Sequence, residues 1–518
     1  MTGLRKAGLV TALAIAGLAP ACNHLFAQDK AGSHKKTNII IIVSDDHAYQ
    51  AISAYGGKLA ETPNIDRIAR EGAIFNNACV TNSICGPSRA VILTGKYSHK
   101  NGFKDNLSTF NSGQDVFVKR LQAAGYQTAW IGKWHLGSKP QGFNYWQILP
   151  DQGMYYNPDF LMMDGSTKRV EGYATNIITD VAEDWLSGRD TTKPFCMVIG
   201  HKATHRTWIP DTTDLGKYDD RTFPLPDSFY DTYEGRYAAK HQDMNIAHTM
   251  RLGYDLKMMP DTGFGKGNYT RLNKAQRARF DAYYKPIEAE LAAKHLSGNA
   301  LTEWKFQRYL KDYLSTAAAL DRNIGRILDY LDEHHLTENT MIVYLSDQGF
   351  YMGEHGWFDK RFMYEESLRT PMVMRYPGVV KPGTKINDFV LNLDIAPTCL
   401  DVAGVKAPAA MQGKSFLPVV THTVNNWRKT VYYHYYESGE HSVIPHFGVK
   451  TQRYKLIRFY QDADKWELYD LQKDPHEMHN LYGEKGYEKI QTSLKTQLTA
   501  EIKHYDDKDA ALVMKQNI

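Results

Sequence analysis

NIIIIV, at residues 38–43, is a run of β-branched side chains with no polar alternation. Such a run predicts a strand that is buried on both faces, as in a parallel sheet covered by helices. The run ends at Ser44-Asp45-Asp46-His47, and polar residues at the carboxyl end of such a strand lie where open α/β sheets place their sites. The stretch therefore predicts an α/β fold and the edge at which a functional site is expected.

Three later strands are predicted to end in the same kind of polar cluster. They are residues 127–131 before Lys133 and His135, residues 194–200 before His201 and His205, and residues 341–345 before Asp347 and Gln348. Because the carboxyl ends of parallel strands meet at one edge of a sheet, we expect one composite site there. The repetition decides this, since a lone lysine or histidine at a strand end is more often solvated.

CGPSRAVILTG, at residues 85–95, predicts a helix that begins beside this site. Pro87 suits the first turn, where a missing N–H leaves nothing unsatisfied. Cys85 would then lie at the positive end of the helix, which favours an anionic group. The alternative interpretation of Cys85 is simple packing of a small side chain.

The chain has 518 residues, of which 42% are hydrophobic, and a formal net charge of +4. This length allows a large core and two domains, and the charge balance gives no case for nucleic-acid binding. Beyond Cys22, the other four cysteines lie mostly in apolar contexts, so they predict no disulfide framework.

The beginning of the chain has the layout of a signal peptide over residues 1–28. Two basic residues precede an apolar run from Leu9 to Ala19 that is too short for a membrane span. Cleavage would leave an exported, periplasmic protein without a transmembrane span. A loose lipoprotein-type site ending at Cys22 is the alternative, and it would anchor the protein through a lipid on that residue.

The remaining chain is predicted to form a larger N-terminal domain, residues 36–412, and a smaller C-terminal domain, residues 413–518. Residues 206–303 are less regular, which indicates an insertion or lid beside the site, or equally a surface excursion with no role. Short aromatic runs after Gly413 predict antiparallel strands with a closing helix near residues 487–505.

The clustered residue types indicate the chemistry of a tetrahedral oxyanion such as sulfate or phosphate. Asp45, Asp46, Asp347 and the amide oxygen of Gln348 suit a hard cation, Ca²⁺ or Mg²⁺, although paired aspartates are also common on solvated turns. A metal next to fixed cationic donors would neutralise the charge shared among the oxyanion oxygens, and a histidine would protonate an alcohol leaving group. The candidate donors and proton carriers are Arg89, Lys133, His135, His205 and Lys360.

The sequence resembles the sulfatase family of the alkaline phosphatase superfamily. Residues 85–95 have its signature of Cys, any residue, Pro, Ser, Arg, three variable residues and Leu-Thr-Gly. Supporting stretches occur in the family's order at residues 44–46, 62–66, 132–137, 346–349, 353–356, 395–398 and 467–470. The resemblance implies a large, mostly parallel central sheet flanked by helices, with a smaller C-terminal α+β domain that contains an antiparallel sheet.

In that family the signature cysteine is converted after synthesis to Cα-formylglycine, whose hydrate is a gem-diol. The resemblance implies that a formylglycine-generating maturation enzyme converts Cys85. One hydroxyl of the diol then attacks sulfur, and the second lets the intermediate collapse to the aldehyde and release sulfate.

The resemblance also implies the roles of the surrounding residues. Asp45, Asp46, Asp347 and Gln348 would hold Ca²⁺ together with the modified Cys85, Arg89 would steady the diol, Lys133 and Lys360 would bind sulfate oxygens, His135 would help release the sulfo group, and His205 would protonate the leaving oxygen. Gln348 departs from the Asn or His that is common there.

The run from Asp347 to Ser367 looks like that of exported bacterial enzymes resembling N-acetylglucosamine-6-sulfatases, which act on glycosaminoglycan or mucin sugars. By this resemblance Asp359, Arg361 and His446 would contact the sugar, with Trp357 as a platform. The alternative is that Asp359 and Arg361 only position Lys360.

Three other functions stay open at this point. The chain would be a sulfatase for another position of a sulfated sugar, a formylglycine-dependent phosphonate or phosphate-ester hydrolase, or a secreted carbohydrate-binding protein with a degenerate site.

Overall fold

The computed structural model describes residues 36–258, 269–461 and 464–516. The predicted signal peptide and Cys22 lie outside these residues. The strands are β1 (Asn38–Ser44), β2 (Ala73–Phe75), β3 (Ala78–Cys79), β4 (Gln127–Lys133), β5 (Tyr145–Leu149), β6 (Asp159–Met162), β7 (Thr167–Arg169), β8 (Phe195–Gly200), β9 (Thr340–Ser346), β10 (Met372–Arg375), β11 (Thr384–Ile386), β12 (Val390–Leu391), β13 (Val431–Tyr435), β14 (His446–Lys450), β15 (Tyr454–Phe459) and β16 (Lys465–Asp470).

The helices are interspersed among these strands. They are α1 (Pro63–Arg70), α2 (Cys85–Thr94), α3 (Ser98–Asn101), α4 (Phe117–Ala123), α5 (Ala174–Gly188), α6 (Tyr237–His241), α7 (Lys274–Lys294), α8 (Gly298–Glu333), α9 (Glu365–Leu368), α10 (Ile395–Val402), α11 (Leu417–Val420), α12 (Glu488–His504) and α13 (Lys508–Lys515). Among the described residues, no helix combines the length and apolar character needed to cross a membrane.

A ten-stranded sheet forms the centre of the molecule, in the order β11-β2-β10-β9-β1-β8-β4-β5-β6-β7. β1 lies between β9 and β8 and is parallel to both, and β4 continues the parallel pairing on the far side of β8. Antiparallel pairs occur towards the two edges, where β10 meets β9 and β6 meets β7. The predicted mostly parallel α/β sheet is therefore confirmed.

The run at residues 38–43 has no polar alternation because both of its faces are buried. Ile40 and Ile42 belong to a core that includes residues of α1, α5 and α8. Ile39 and Ile41 belong to a second core, on residues of α2, α4 and α10. Helices thus cover the sheet on both faces and leave its carboxyl edge for the site.

The segment at residues 206–303 is more regular than its composition indicates. It contains α7, whose N-terminus is closed by a reciprocal capping box between Asn273 and Gln276. It also contains the first turns of the long helix α8, which begins at Gly298 and extends to Glu333.

The predicted smaller antiparallel sheet is present after residue 413, as β13-β14-β15-β16. The closing helix is α12, and its buried Leu494 and Leu498 pack in a core with this sheet. The same core includes Trp357, Phe362 and other side chains from the preceding part of the chain. Residues from Lys36 onward consequently form one compact unit, in which the predicted boundary at residues 412 and 413 marks a change of sheet.

Candidate active site

Four polar residues directly follow the paired strands β1 and β9. The two strands are in parallel register, with Ser44 opposite Ser346, so the residues that follow them meet at the carboxyl edge. The backbone N–H of Asp46 donates to Asp347 Oδ1 at 3.1 Å. Asp45, Asp46, Asp347 and Gln348 are all fully buried.

Helix α2 begins at Cys85 and is buried along its whole length. It ends at Gly95, whose φ of 62° gives the left-handed C-terminal cap that favours glycine. The backbone N–H of Gly86 donates to Asn106 Oδ1 at 3.1 Å. Cys85 therefore lies at the positive end of a helix, as predicted, and faces the carboxylates of the sheet.

Arg89 joins helix α2 to the ends of three strands. Its guanidinium donates to Asp347 Oδ2 at 3.0 Å, to the carbonyl of Lys133 at 3.1 Å and to the carbonyl of Ser44 at 3.4 Å. The side chain is fully buried, so each of these charge-assisted contacts is shielded from water. Arg89 thus fixes Cys85 relative to the sheet edge.

The predicted cationic side chains converge on the same carboxylates. Lys133 Nζ donates to Asp45 Oδ2, and Lys360 Nζ donates to Asp46 Oδ2 at 2.8 Å. His205 Nε2 lies 4.0 Å from Asp46 Oδ2. Lys360 follows β9 by 14 residues, so this ion pair closes the site over the strand ends.

His135 lies at the end of β4, with its Nε2 3.4 Å from Asp151 Oδ1. Its Nδ1 is buried and has no hydrogen-bond partner among the described residues. Burial lowers the pKa of His135 to about 4 and lowers that of His205 well below its usual range. His205 Nδ1 contacts the carbonyl of Arg206 at 2.6 Å, so a neutral ring donates from Nδ1 and directs Nε2 towards the carboxylates.

Two of the three buried carboxylates have raised pKa values although each carboxylate has a cationic partner. Burial raises the pKa of Asp46 to about 6 against the opposing charge of Lys360. Burial and the charge of Asp45 raise the pKa of Asp347 well above its usual range. Asp45 differs, because the charges of Lys133, His205, Arg89 and Lys360 together outweigh burial and hold the pKa of Asp45 well below its usual range. An additional positive charge would stabilise all three in the ionised form.

The donor atoms at this point fit a hard divalent cation. Ligand atoms of Asp45, Asp46, Cys85 and His205 all lie within 4.8 Å of one another. Asp45 Oδ1 and Gln348 Oε1 are buried and have no hydrogen-bond partner in the part of the chain that the structure describes, and such oxygens are the ligands that Ca²⁺ and Mg²⁺ prefer.

Burial, reinforced by the charge of Asp45, raises the pKa of the Cys85 thiol far above neutrality, because the charges of Lys360 and Lys133 do not offset the lost solvation of a thiolate. The unmodified side chain would therefore be a weak nucleophile at this position.

A cleft with a cavity volume of about 290 Å³ leads from solvent to Cys85. Asp359 and Arg361, the two predicted sugar contacts, line it, and both have left-handed backbone angles, with φ of 80° and 94°. Such angles cost non-glycine residues on the order of 1–3 kcal/mol and concentrate at functional sites. The other lining residues are Asn106, Leu107, Gln152, His205, Arg206, Tyr254, Lys360, Glu437, Glu440 and His441.

Trp357 does not reach the cleft, so the prediction that it forms a sugar platform is wrong. Its side chain is fully buried, its ring stacks against those of Tyr233 and Phe362, and its Nε1 donates to the Tyr233 hydroxyl at 2.8 Å. The tryptophan belongs to the core under the C-terminal sheet.

His446 is also outside the cleft, which excludes the predicted sugar contact. It is fully buried at the start of β14, where Nε2 accepts from the backbone N–H of Met363 at 3.1 Å and Nδ1 donates to the carbonyl of Ile444 at 2.9 Å. His441, five residues earlier, lines the cleft instead, with Nε2 3.3 Å from Asp359 Oδ2.

Several cleft residues were not predicted from the sequence. Arg206 directly follows His205 in the polar cluster after β8, and such a cluster indicates the edge of the sheet at which the site lies. His441 follows Gly439 and Glu440 in a polar loop, whereas His446 is followed by an apolar strand. Asn106, Gln152, Tyr254 and Glu437 carry no local signal.

A buried metal-type carboxylate cluster, surrounded by lysines and histidines at a helix N-terminus, defines an enzyme that processes tetrahedral oxyanion esters. The chain belongs to the sulfatase family: the family model described as Sulfatase matches residues 37–405. A second model, described as N-sulphoglucosamine sulphohydrolase, C-terminal, matches residues 353–504. The predicted resemblance and the assignment as a sulfuric ester hydrolase are confirmed.

Individual relatives agree with this assignment. The chain is 50% identical over 490 residues to an N-acetylglucosamine-6-O-sulfatase of Bacteroides thetaiotaomicron. This alignment covers 92% of this chain and 88% of the relative. It is 27% identical to an arylsulfatase of Clostridium perfringens, over 87% of this chain and 91% of the relative. A solved structure in complex with its substrate D-glucosamine-2-N,6-O-disulfate is 50% identical to this chain and superimposes on it with a TM-score of 0.90. The match covers 92% of this chain and 99% of the chain in that structure.

Proposed function

We propose that this sulfatase removes the 6-O-sulfate of N-acetylglucosamine residues from glycosaminoglycan or mucin glycans. The observation that carries the proposal is the 50% identity, over 92% of this chain, to a relative named for that activity. The solved structure with a 6-O-sulfated glucosamine supports the same sugar and extends the proposal to N-sulfated glucosamine.

In this proposal Cys85 would be converted to formylglycine, whose hydrate would supply the hydroxyl nucleophile towards sulfur. A bound Ca²⁺, or Mg²⁺ as the alternative, would polarise the sulfate oxygens, with Asp45, Asp46, Asp347 and Gln348 as its protein ligands. Their burial and their unpaired oxygens support this role.

The chain's own residues hold the sulfate and move one proton. Lys133 and Lys360 donate hydrogen bonds to Asp45 and Asp46, so their ammonium groups adjoin Cys85. There they would stabilise the negative charge that develops on the sulfate oxygens. His205 faces the same point through Nε2. The negative charge of a bound sulfate ester would favour its imidazolium form, which carries a proton on Nε2 and would donate it to the leaving sugar oxygen. His135 would help release sulfate, and Arg89 keeps helix α2 in place.

The polar end of the cleft would bind the hydroxyls of the reacting sugar. Arg361 donates to Glu437 Oε1 at 2.9 Å, and its Nε, 3.4 Å from Asp359 Oδ1, has no hydrogen-bond partner. His441 completes this group beside Asp359. Asp359 Oδ1 also accepts from the backbone N–H of Lys360 at 2.8 Å, so sugar binding and positioning of Lys360 are both served by one carboxylate.

Maturation and export are part of the proposal. A host enzyme that generates formylglycine would act on Cys85. The signal-like residues 1–28 would direct the protein to the periplasm, with lipidation at Cys22 as the alternative to a soluble form.

A panel of defined esters tests the proposal. Sulfate release would be measured from 6-sulfated N-acetylglucosamine, from D-glucosamine-2-N,6-O-disulfate and from sugars sulfated at other positions. Hydrolysis of an aryl phosphonate would be measured in parallel. We expect turnover of the 6-O-sulfates and its loss in Cys85→Ala. Turnover confined to another sulfated position, or to the phosphorus ester, would overturn the proposal, and binding without turnover would support the non-enzymatic alternative.

A further inference from the structure

Two exposed apolar side chains stand at the cleft that leads to Cys85. Leu107 is 90% exposed and Tyr254 is 39% exposed. Among the described residues that line the cleft, they are the only ones with a large apolar side chain, and the others are mainly charged or amide-bearing. Both exposed side chains therefore lie at the opening of a ligand-binding cleft. Single apolar residues scattered over a surface need no explanation, whereas apolar surface at such an opening indicates a binding site.

The loop that carries Leu107 is held in place on both sides of that residue. Asp105 Oδ1 accepts from the backbone N–H groups of Leu107 and Ser108 at 3.0 and 2.7 Å. Asn106 donates its backbone N–H to Glu437 Oε2 at 3.0 Å, and its side chain accepts from Gly86 beside Cys85. The exposed leucine thus has a fixed position relative to the nucleophile and to the sugar-binding carboxylate.

Tyr254 is oriented by two arginines of the segment at residues 206–303. The guanidinium of Arg251 lies 4.3 Å from the centre of its ring, and that of Arg206 lies 5.5 Å from it. Asp255 accepts two hydrogen bonds from Arg206, at 2.6 and 3.0 Å, which holds that guanidinium in place. These contacts hold the tyrosine ring in one orientation.

We propose that Leu107 and Tyr254 form an outer subsite for the sugar ring attached to the reacting residue, an inference that rests on the proposed function. The cleft that these two residues and Cys85 line has a cavity volume of about 290 Å³, which is small for a ligand pocket and fits a single sugar residue with its sulfate. The next ring of the same glycan would then lie at the cleft opening. Its C–H faces would pack on the leucine and the tyrosine, while its hydroxyls remain in water.

Kinetics on substrates of two lengths tests the subsite. Sulfate release would be measured from 6-sulfated N-acetylglucosamine and from the two disaccharides that carry a second sugar on C1 or on C4 of that residue. We expect wild-type protein to prefer one disaccharide in kcat/KM. Leu107→Ala and Tyr254→Ala should each reduce that preference by about fivefold, a burial effect of the expected size, so that each variant loses more activity on the disaccharide than on the monosaccharide.

Leu512→Ala is the matched control, because Leu512 is also an exposed leucine, at 61%, but lies on α13 away from the cleft. It should leave both substrates unaffected. Equal losses on monosaccharide and disaccharide would overturn the inference by assigning the contact to the reacting sugar, and so would a wild type without any disaccharide preference. A wild type inactive on every 6-sulfated substrate would instead overturn the proposed function, and this inference with it.

Discussion

The amide nitrogen of Gln348 lies 3.6 Å from the sulfur of Cys85 and 2.5 Å from Oδ1 of Asp46. The side chain therefore bridges the end of β9, the end of β1 and the start of α2. Its oxygen, Oε1, is buried and finds no hydrogen-bond partner within residues 36–258, 269–461 and 464–516, which leaves it available to a cation.

Loss of this oxygen should weaken metal binding. We expect Gln348→Ala to lower the affinity for Ca²⁺ by at least about tenfold, and Gln348→Asn, which keeps an amide oxygen, to lower it less. The measurement is the rise in Tm on adding Ca²⁺ to chelator-treated protein. Identical Ca²⁺-dependent shifts in wild type and Gln348→Ala would contradict a ligand role for Gln348.

Gln152 positions Lys133 from outside the sheet. Lys133 Nζ donates to Gln152 Oε1 at 2.6 Å, while Lys202 Nζ donates to the Gln152 carbonyl at 3.1 Å and so fixes its backbone. We expect Gln152→Met, which keeps the length but loses the acceptor, to reduce kcat on the order of tenfold because Lys133 loses its orientation. Gln152→Glu keeps an acceptor and should retain more activity than Gln152→Met. Equal activity of the two variants would contradict the hydrogen-bonding role.

Trp357 should affect stability and not substrate binding. Trp357→Phe removes buried volume and the hydrogen bond to Tyr233, and we expect it to lower the free energy of unfolding by about 2 kcal/mol. KM should stay at its wild-type value, whereas Arg361→Ala in the cleft should raise KM. The tests are chemical unfolding and steady-state kinetics on both variants. A raised KM in Trp357→Phe would restore the tryptophan as a sugar contact.

Glu467 should make stability depend on pH. It is fully buried in β16 and accepts hydrogen bonds from Tyr364 and Tyr469, both at 2.8 Å, with the charge of Arg236 nearby. Burial raises the pKa of Glu467 from 4.5 to about 7. The folded state therefore binds the proton more tightly than the unfolded state, and its stabilising effect, complete below pH 4.5, is lost as pH rises through about 7.

Glu467→Gln should remove this dependence because it cannot ionise. Relative to the variant, wild type should lose on the order of 3 kcal/mol of unfolding free energy between pH 4.5 and pH 8. Urea unfolding of both proteins across that range checks the expectation. A difference between them that stays constant with pH would refute it.

Local patterns in the sequence were sufficient for the sheet and for most of the candidate site. The β-branched run at residues 38–43 is buried on both faces because it is the central strand. The polar residues after β1, β4, β8 and β9 meet because parallel strands share one carboxyl edge. The helix at Cys85 has its start and its glycine cap within eleven residues.

The cleft wall could not be predicted in the same way because its contacts join distant parts of the chain. Arg361 and Glu437 are 76 residues apart, and no local pattern relates them. His441 and His446 are close in sequence, but strand β14 begins at His446 and carries it into the core. Trp357 is an aromatic residue in a polar loop, and only packing against Tyr233 and Phe362 decides that it is buried. The capping box of α7 was a local signal, which shows that part of residues 206–303 was predictable.

The central claim is that Cys85 acts as formylglycine, and mass spectrometry of the peptide that contains residue 85 tests it most directly. Protein produced with graded amounts of a maturation enzyme would be analysed for its aldehyde fraction, and turnover of 6-sulfated N-acetylglucosamine would be measured on the same samples. Activity should rise in proportion to the aldehyde fraction, and Cys85→Ala should fall at least about a thousandfold. Full turnover by protein whose residue 85 is entirely the thiol would contradict the claim.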